Sequence, residues 1–492
     1  MKTRYTFILT AFLIIFSNAC QSKQIPTTVP PQQIENTTVS PKADENSQQV
    51  QVEEPGSIGE VQSTAPIPQP TPTLPAPTKE PGNRIKDGNF LHSDKPRLVH
   101  PKTITDEMKI LAEGNNRFTF DLYPFLQPKD NNFFYSPYSI SSILAMAMAG
   151  ARGDTAIQMA DVLHITLAIE QIPPTFNNIE MELLSYAKDP GGSNKEGFIL
   201  NVANSIWGQE NRPFQNEYLD ILSEDYGAGV YLVDFINQPD ESRQAINEWV
   251  SQQTQEKIQD LFSPESITPM TRLVLANAIY FKAGWLYPFN PELTKSDYFF
   301  LLVGGQTSVS MMHNTETYAY KRTARYEVIE LPYQGGGESM IIIMPIVEEF
   351  PNIEKELNAS TLKEITGDLK PQKIDLTMPQ FSLRSSFALR DVLIEMGMLN
   401  AFAPLGANFS GIDGTRDLYI DKLEHKTLIN VDENGTEAAA ASGAAVGITA
   451  ADENPSIPLV INHPFIFVIQ DHETGLILFI GRVLNPSKTG EE

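Results

Sequence analysis

The chain has one cysteine, Cys20, so it can form no intrachain disulfide and no cysteine-based metal site, and its fold must rest on packing alone. Basic residues are scarce. With 36 Lys and Arg against 61 Asp and Glu, the net charge is -25, which argues against nucleic acid or an anionic membrane surface as the main partner. Catalytic signatures are also missing: there is no G-x-S-x-G elbow, Walker A loop, G-x-G-x-x-G turn or H-E-x-x-H helix. The histidines His92, His100, His164, His313, His425, His463 and His472 show no metal-ligand spacing, so neither a metal nor a cofactor is expected. Enzyme readings therefore start weak. From Gln21 to Asn89 there is no aromatic residue, and such a segment cannot bury enough apolar surface to offset its conformational entropy.

The apolar run Phe7 to Phe16 is too short to span a bilayer comfortably, and it follows Lys2 and Arg4 and precedes Ser17-Asn18-Ala19. That pattern is a signal peptide over residues 1–19, and the chain is expected to be exported. Two processing readings meet at Cys20. Ordinary signal peptidase suits Ser17 and Ala19 and would leave a free thiol, whereas lipidation of Cys20 explains why an otherwise cysteine-free exported chain has its one cysteine here. Lipidation is favoured, with membrane attachment through Cys20. Residues 20–102, rich in Pro, Thr, Gln, Glu and Ser, are expected to be a disordered tether. A single domain is expected over 103–488, with a tail at 489–492.

Within that domain, helical spacing marks Ile104 to Leu126 and Ser242 to Ile258, and Ser136-Pro137 opens another helix with a Ser cap and a Pro in its first turn. Strand-like runs occur at 198–207, 271–282, 339–344, 373–378, 428–431 and 459–469. Helices and strands alternate without βαβ regularity, which predicts an α+β fold with large antiparallel sheets. Between the last two runs lies a segment of small residues. From Gly435 to Asp452 only Glu437 interrupts Thr, Ala, Ser, Gly, Val and Ile, and no proline occurs before Pro455. An Ala-rich helix or linker would read the same way, but a long loop between apolar strands is uncommon and often functional.

The segment Glu433-x-Gly435-Thr436-Glu437-Ala438-Ala439-Ala440-Ala441-Ser442 resembles the hinge of an inhibitory serpin's reactive loop. Asn462-His463-Pro464-Phe465, Gly481-Arg482-Val483-x-Asn485-Pro486, Ser136-Pro137-Tyr138-Ser139, Ala203-Asn204, Ile246-Asn247-x-Trp249-Val250, Asn277 to Trp285 and Ala407 to Gly411 fall in that family's order. The resemblance implies the serpin fold: a large main sheet, two smaller sheets, surrounding helices and an exposed reactive loop near the C-terminus. It implies a monomer that is not an enzyme but a bait for serine proteases, or for cysteine proteases. Cleavage of the loop would be followed by its insertion as a strand in the main sheet.

Strand alternation would then bury Thr436, Ala438, Ala440 and Ser442, all small, and Thr436 is expected to be exposed until cleavage. Counting from Glu433 places the reactive bond at Thr449–Ala450, while counting back from Asn462 lands near Glu453. A small or aliphatic residue there suits elastase-like or subtilisin-like proteases. The resemblance further assigns Ser136, Ser139, Asn277 and His425 to a polar shutter beneath the opening strands, and Trp285 to the breach at the top of the sheet. Gln380 stands where many relatives have a Lys able to pair with Glu433, which puts that ion pair in doubt. A non-inhibitory binding or chaperone module remains the alternative.

Overall fold

The computed structural model describes residues 82–99, 103–186, 199–436 and 455–490. The signal peptide, Cys20, most of the tether, the hinge positions Ala438, Ala440 and Ser442, and the Thr449–Ala450 bond lie outside the described residues.

The amino-terminal half contains β1 (Arg84–Asp87), β2 (Phe90–Ser93), β3 (Phe133–Tyr135), β4 (Ile199–Gln209), β5 (Val230–Val233) and β6 (Leu273–Gly284). The carboxyl-terminal half adds β7 (Lys295–Phe300), β8 (Gln306–Arg322), β9 (Tyr326–Pro332), β10 (Glu338–Pro345), β11 (Lys370–Pro379) and β12 (Phe381–Ala388). It continues with β13 (Lys422–Val431), β14 (Gly435–Thr436), β15 (Ile457–Val460), β16 (Phe465–Asp471) and β17 (Ile477–Val483). The helices used below are α1 (Asp106–Leu126), α2 (Pro137–Met148), α3 (Asp154–Val162), α4 (Ile172–Ser185), α5 (Asn216–Tyr226) and α6 (Pro239–Gln253).

The main sheet has the order β1-β2-β5-β4-β6-β14-β13-β12. A second runs β15-β11-β8-β9-β10-β16-β17-β3, with β7 beside β8. The two smaller sheets that were expected are joined here by β8, which is long enough to pair with β7, β11 and β9 in turn. Most pairings are antiparallel, as the α+β reading requires. The exception that matters lies in the main sheet, where β6 and β13 are parallel neighbours over seven registered pairs, Val274↔Lys422 to Tyr280↔Leu428.

Every residue of α2 is buried, Ser139, Ser141 and Ser142 along with the apolar side chains, and it lies against β4, β6 and β17. On the opposite face of the main sheet, Ile246 and Val250 of α6 pack on Ala203, Trp207, Ala276 and Ala278.

Three sequence expectations need correction. The folded part begins well before residue 103: β1 and β2 form a hairpin, and β2 extends the main sheet through Phe90↔Tyr231 and Leu91↔Val230. Burial of Leu91 and the Asp220 carboxylate, which binds Gly82 N at 2.9 Å and Lys95 Nζ at 2.9 Å, fix this stretch. Helix α6 stops at Gln253 and not at Ile258, because Gln255 and Glu256 turn into the left-handed region at φ 53° and 62°. The run 459–469 is two strands, broken at Asn462-His463-Pro464, with β15 parallel to β11 and β16 set between β10 and β17.

The seam between two parallel strands

Two parallel strands side by side with no crossover in between leave a seam, and the residues singled out in the sequence gather along it. At the end where β6 and β13 diverge, Gly435 and Thr436 occupy the gap as β14, antiparallel to both neighbours. The preceding chain turns tightly: Asp432 N–H donates to the Gly435 carbonyl at 2.9 Å, and Asp432 Oδ1 accepts from Asn434 N at 2.8 Å. Gly435 must be glycine here, since an added Cβ would lie 2.0 Å from the Ala283 carbonyl oxygen.

Thr436 is 0% exposed, which corrects the expectation that it waits in solvent. The divergence of β6 and β13 already leaves one strand's width there, and Thr436 Oγ1 shares a hydrogen bond with the Tyr333 hydroxyl at 2.7 Å. The Tyr333 ring stacks on Trp285, centroids 4.7 Å apart. Trp285 in turn donates from Nε1 to Asp432 O at 3.0 Å and from its amide to Asn434 O at 2.8 Å, so the expected breach residue holds the turn that feeds β14. Among the described residues Glu433 binds without a cation: its carboxylate accepts from the Thr294 hydroxyl and from Gln380 Nε2 at 2.7 Å. A neutral amide thus stands in for the doubtful ion pair.

Further along the seam Ser136, Ser139, Asn277 and His425 come together, all 0% exposed. Ser136 caps α2, its Oγ accepting from Ser139 N at 3.1 Å. Asn277 Nδ2 donates to Ser139 O at 3.0 Å, to Ser139 Oγ and to Asn204 Oδ1. Asn277 and His425 are register partners across the seam and are joined by a hydrogen bond between Oδ1 and Nδ1. Because His425 Nε2 faces the Ser136 amide at 3.1 Å, it must accept, which places the ring proton on Nδ1. Burial pushes the imidazole down to about 3, and a proton on Nε2 would set two donors against each other.

Asn204 belongs to this cluster; the sequence named it only within the Ala203-Asn204 motif and gave it no role in the shutter. Its pairing with Asn277 on adjacent strands was the available signal, legible only once β4 and β6 are placed in register.

The outer face of the seam is covered. Asn247 of α6 clamps the segment after the helix, accepting from Phe262 N at 2.8 Å and donating to Phe262 O at 2.9 Å. Within that segment Ile258, Leu261 and Phe262 pack on β6, while Lys426 of β13 reaches Asp260 O at 3.5 Å, so it bridges both strands. Beside Lys426, burial raises the Glu424 carboxyl to about 7.

The description "Serpin (serine protease inhibitor)" matches residues 113–486. A serpin-like protein of Thermococcus kodakarensis is 39% identical over 414 residues, covering 84% of this chain and 94% of that protein. The leukocyte elastase inhibitor of Homo sapiens is 35% identical over 394 residues, covering 77% of this chain and 100% of that protein. Among solved structures, a highly specific serpin of the insect Tenebrio molitor, Serpin48, superposes with a TM-score of 0.67 at 32% identity, covering 78% of this chain and all of that one.

Proposed function

Since the chain belongs to the serpin family, we propose that it inhibits serine proteases as a suicide substrate, and that the seam is where it traps them. The observation that carries this reading is β14, a two-residue strand antiparallel to both β6 and β13 in the gap where they diverge. Zipping the loop behind Thr436 into that gap would exchange one parallel ladder for two antiparallel ones, which pair slightly better per residue. Thr436 already points to the core, so once inserted, strand alternation would turn Ala438, Ala440 and Ser442 the same way. Continued in the same register, Ser442 falls opposite both Asn277 and His425, and its small hydroxyl suits the site where their mutual hydrogen bond must part.

The chemistry belongs to the target. Its serine Oγ attacks the Thr449 carbonyl carbon, the bond to Ala450 breaks, and the released amine takes up the proton. The acyl-enzyme is then tied to a strand free to insert, and the covering segment at 254–262 must lift for it to pass. The energy for distorting the protease comes from the intact fold, which is held kinetically and not at its free-energy minimum. A small or aliphatic residue at the bond favours elastase-like or subtilisin-like targets, and relatives include an inhibitor named for elastase. In this reading the chain is exported, with Cys20 as a lipid anchor and the tether as a spacer.

The test is incubation with elastase and subtilisin. We expect a complex that survives denaturing gels, release of a C-terminal peptide beginning at Ala450, and a sharply higher melting temperature for the cleaved chain. Cleavage with full release of active protease and an unchanged melting temperature would leave a non-inhibitory module.

A further inference from the structure

The slot that β14 occupies has two walls, and each is tied to the second sheet. Beyond Gly284 the chain leaves the main sheet and pairs with the end of β9: Gln334 N donates to Gly284 O at 2.8 Å, Leu286 N donates to Pro332 O at 2.9 Å, and Trp285 and Tyr333 form an antiparallel bridge between them. On the other side β13 pairs with β12, which starts directly after Gln380, and Gln380 N donates to Ser310 O of β8 at 2.9 Å. Neither tie passes through β14 itself.

The side chains of these two glutamines converge on the turn that feeds the slot. Gln380 holds Glu433 directly, whereas Gln334 acts through Trp285. Its Nε2 donates to Trp285 O at 3.1 Å, and Trp285 in turn donates to Asp432 O and Asn434 O. The same side chain lies over Gly284, where an added Cβ would come within 3.2 Å of its Cδ and Nε2. Gly435, the register partner of Gly284 in β14, approaches so closely that a Cβ on it would lie 2.7 Å from the Gly284 Cα. The turn that carries Gln334 is fixed as well: Gly337 leaves room for Tyr186, the residue after α4, whose ring a Cβ there would meet at 2.4 Å.

We propose that Gln334 is a positioning residue of the trap. It holds the β6 wall one strand's width from β13 before any cleavage, so the cut loop enters behind Thr436 without first having to open the slot. Insertion runs against hydrolysis of the acyl-enzyme, and a wall that drifts gives hydrolysis time to finish.

This role has meaning only if the chain traps proteases as proposed, so the two are read separately in the intact full chain, in Gln334→Ala and in Gln334→Met, which keeps bulk over Gly284 but has no donor. Without protease, hydrogen exchange at the Gly435 and Thr436 amides reports on the slot. With elastase or subtilisin, the rate of loop cleavage and the number of inhibitor molecules consumed per protease trapped report on the race. For the loss of one hydrogen bond we expect exchange about fivefold faster in both variants, cleavage at the parent's rate, and insertion slowed by a similar factor, seen as more chain consumed per protease trapped. A residue that merely stabilised the fold would not move that partition at an unchanged cleavage rate. Parent-like exchange and consumption in both variants, or in Gln334→Met alone, would overturn the role of the amide and leave the trap standing. A parent that is cut without trapping would end the trapping reading and this role with it, a failure recognisable because it precedes any variant.

Discussion

The seam between β6 and β13 is held apart at one end by a backbone and held shut in its middle by the parallel ladder and the side chains that bridge it. At the divergent end Gly435 and Thr436 already pair with both strands, so the cost of starting a new strand there has been met. In the middle, Asn277 and His425 bond directly across the seam, and no chain can pass until that bond breaks. The difference separates two properties that a loop-inserting protein must control independently. If the loop inserts as proposed, the wedge would set where insertion starts and in which register, and the shutter how fast it proceeds.

The largest effect is expected at the wedge. Thr436→Arg would put an unpaired guanidinium into a fully buried site against Tyr333, at a cost on the order of several kcal/mol. The hinge should be expelled and insertion delayed. Such a variant is expected to be cut at the same bond at a similar rate but to release active protease with little covalent complex, whereas Thr436→Ser should still inhibit. A Thr436→Arg protein that traps protease as fully as the parent would show that the wedge does not guide insertion.

A smaller effect is expected in the middle. Asn277→Ala leaves the His425 Nδ1 proton, the Ser139 carbonyl and Asn204 with fewer partners inside the core, and each orphaned buried group costs about 1–3 kcal/mol. The variant should still form complex when fresh, because the wedge is untouched, but should lose activity faster on warming as the seam opens unaided. An unchanged half-life at elevated temperature would mean that the network caps α2 and fills the core without controlling the seam.

How much of this was legible beforehand depended on range. Ser136-Pro137 announced a capped helix locally, and the order of separated motifs was enough to bring Asn277 and His425 together across 148 residues. Gly435 and Thr436 read as loop because nothing near them in sequence reports that two distant strands diverge. Asn204 read as part of a motif without a site role for the same reason: its importance comes from the strand beside it. The β1–β2 hairpin escaped notice because β1 is exposed at every position and shows no alternation. Gln255 and Glu256, which end α6, have side chains that give no hint of a left-handed backbone.

The smallest effect concerns the two consecutive residues Glu424 and His425, which face opposite sides of β13. Glu424 has its carboxyl raised from 4.5 to about 7 by burial, so the folded state holds that proton more tightly than the unfolded chain does. Its contribution to stability is fully present below pH 4.5 and is lost as the pH rises through 7. His425 is lowered from 6.5 to about 3, so its contribution is present above pH 6.5 and is lost as the pH falls toward 3. Between pH 4.5 and 6.5 the two slopes oppose each other. Glu424→Gln removes one of them and leaves the histidine, whose slope reaches at most about 1.4 kcal/mol per pH unit. Melting midpoints of parent and variant taken across that window should therefore diverge, with the variant losing more on acidification. Because all other titrating groups, His425 included, are common to both proteins, the difference isolates Glu424. Parallel profiles would mean that Glu424 is solvated and ionised, and that the outer face of the seam, unlike its inner face, has no pH-dependent hold on the strands.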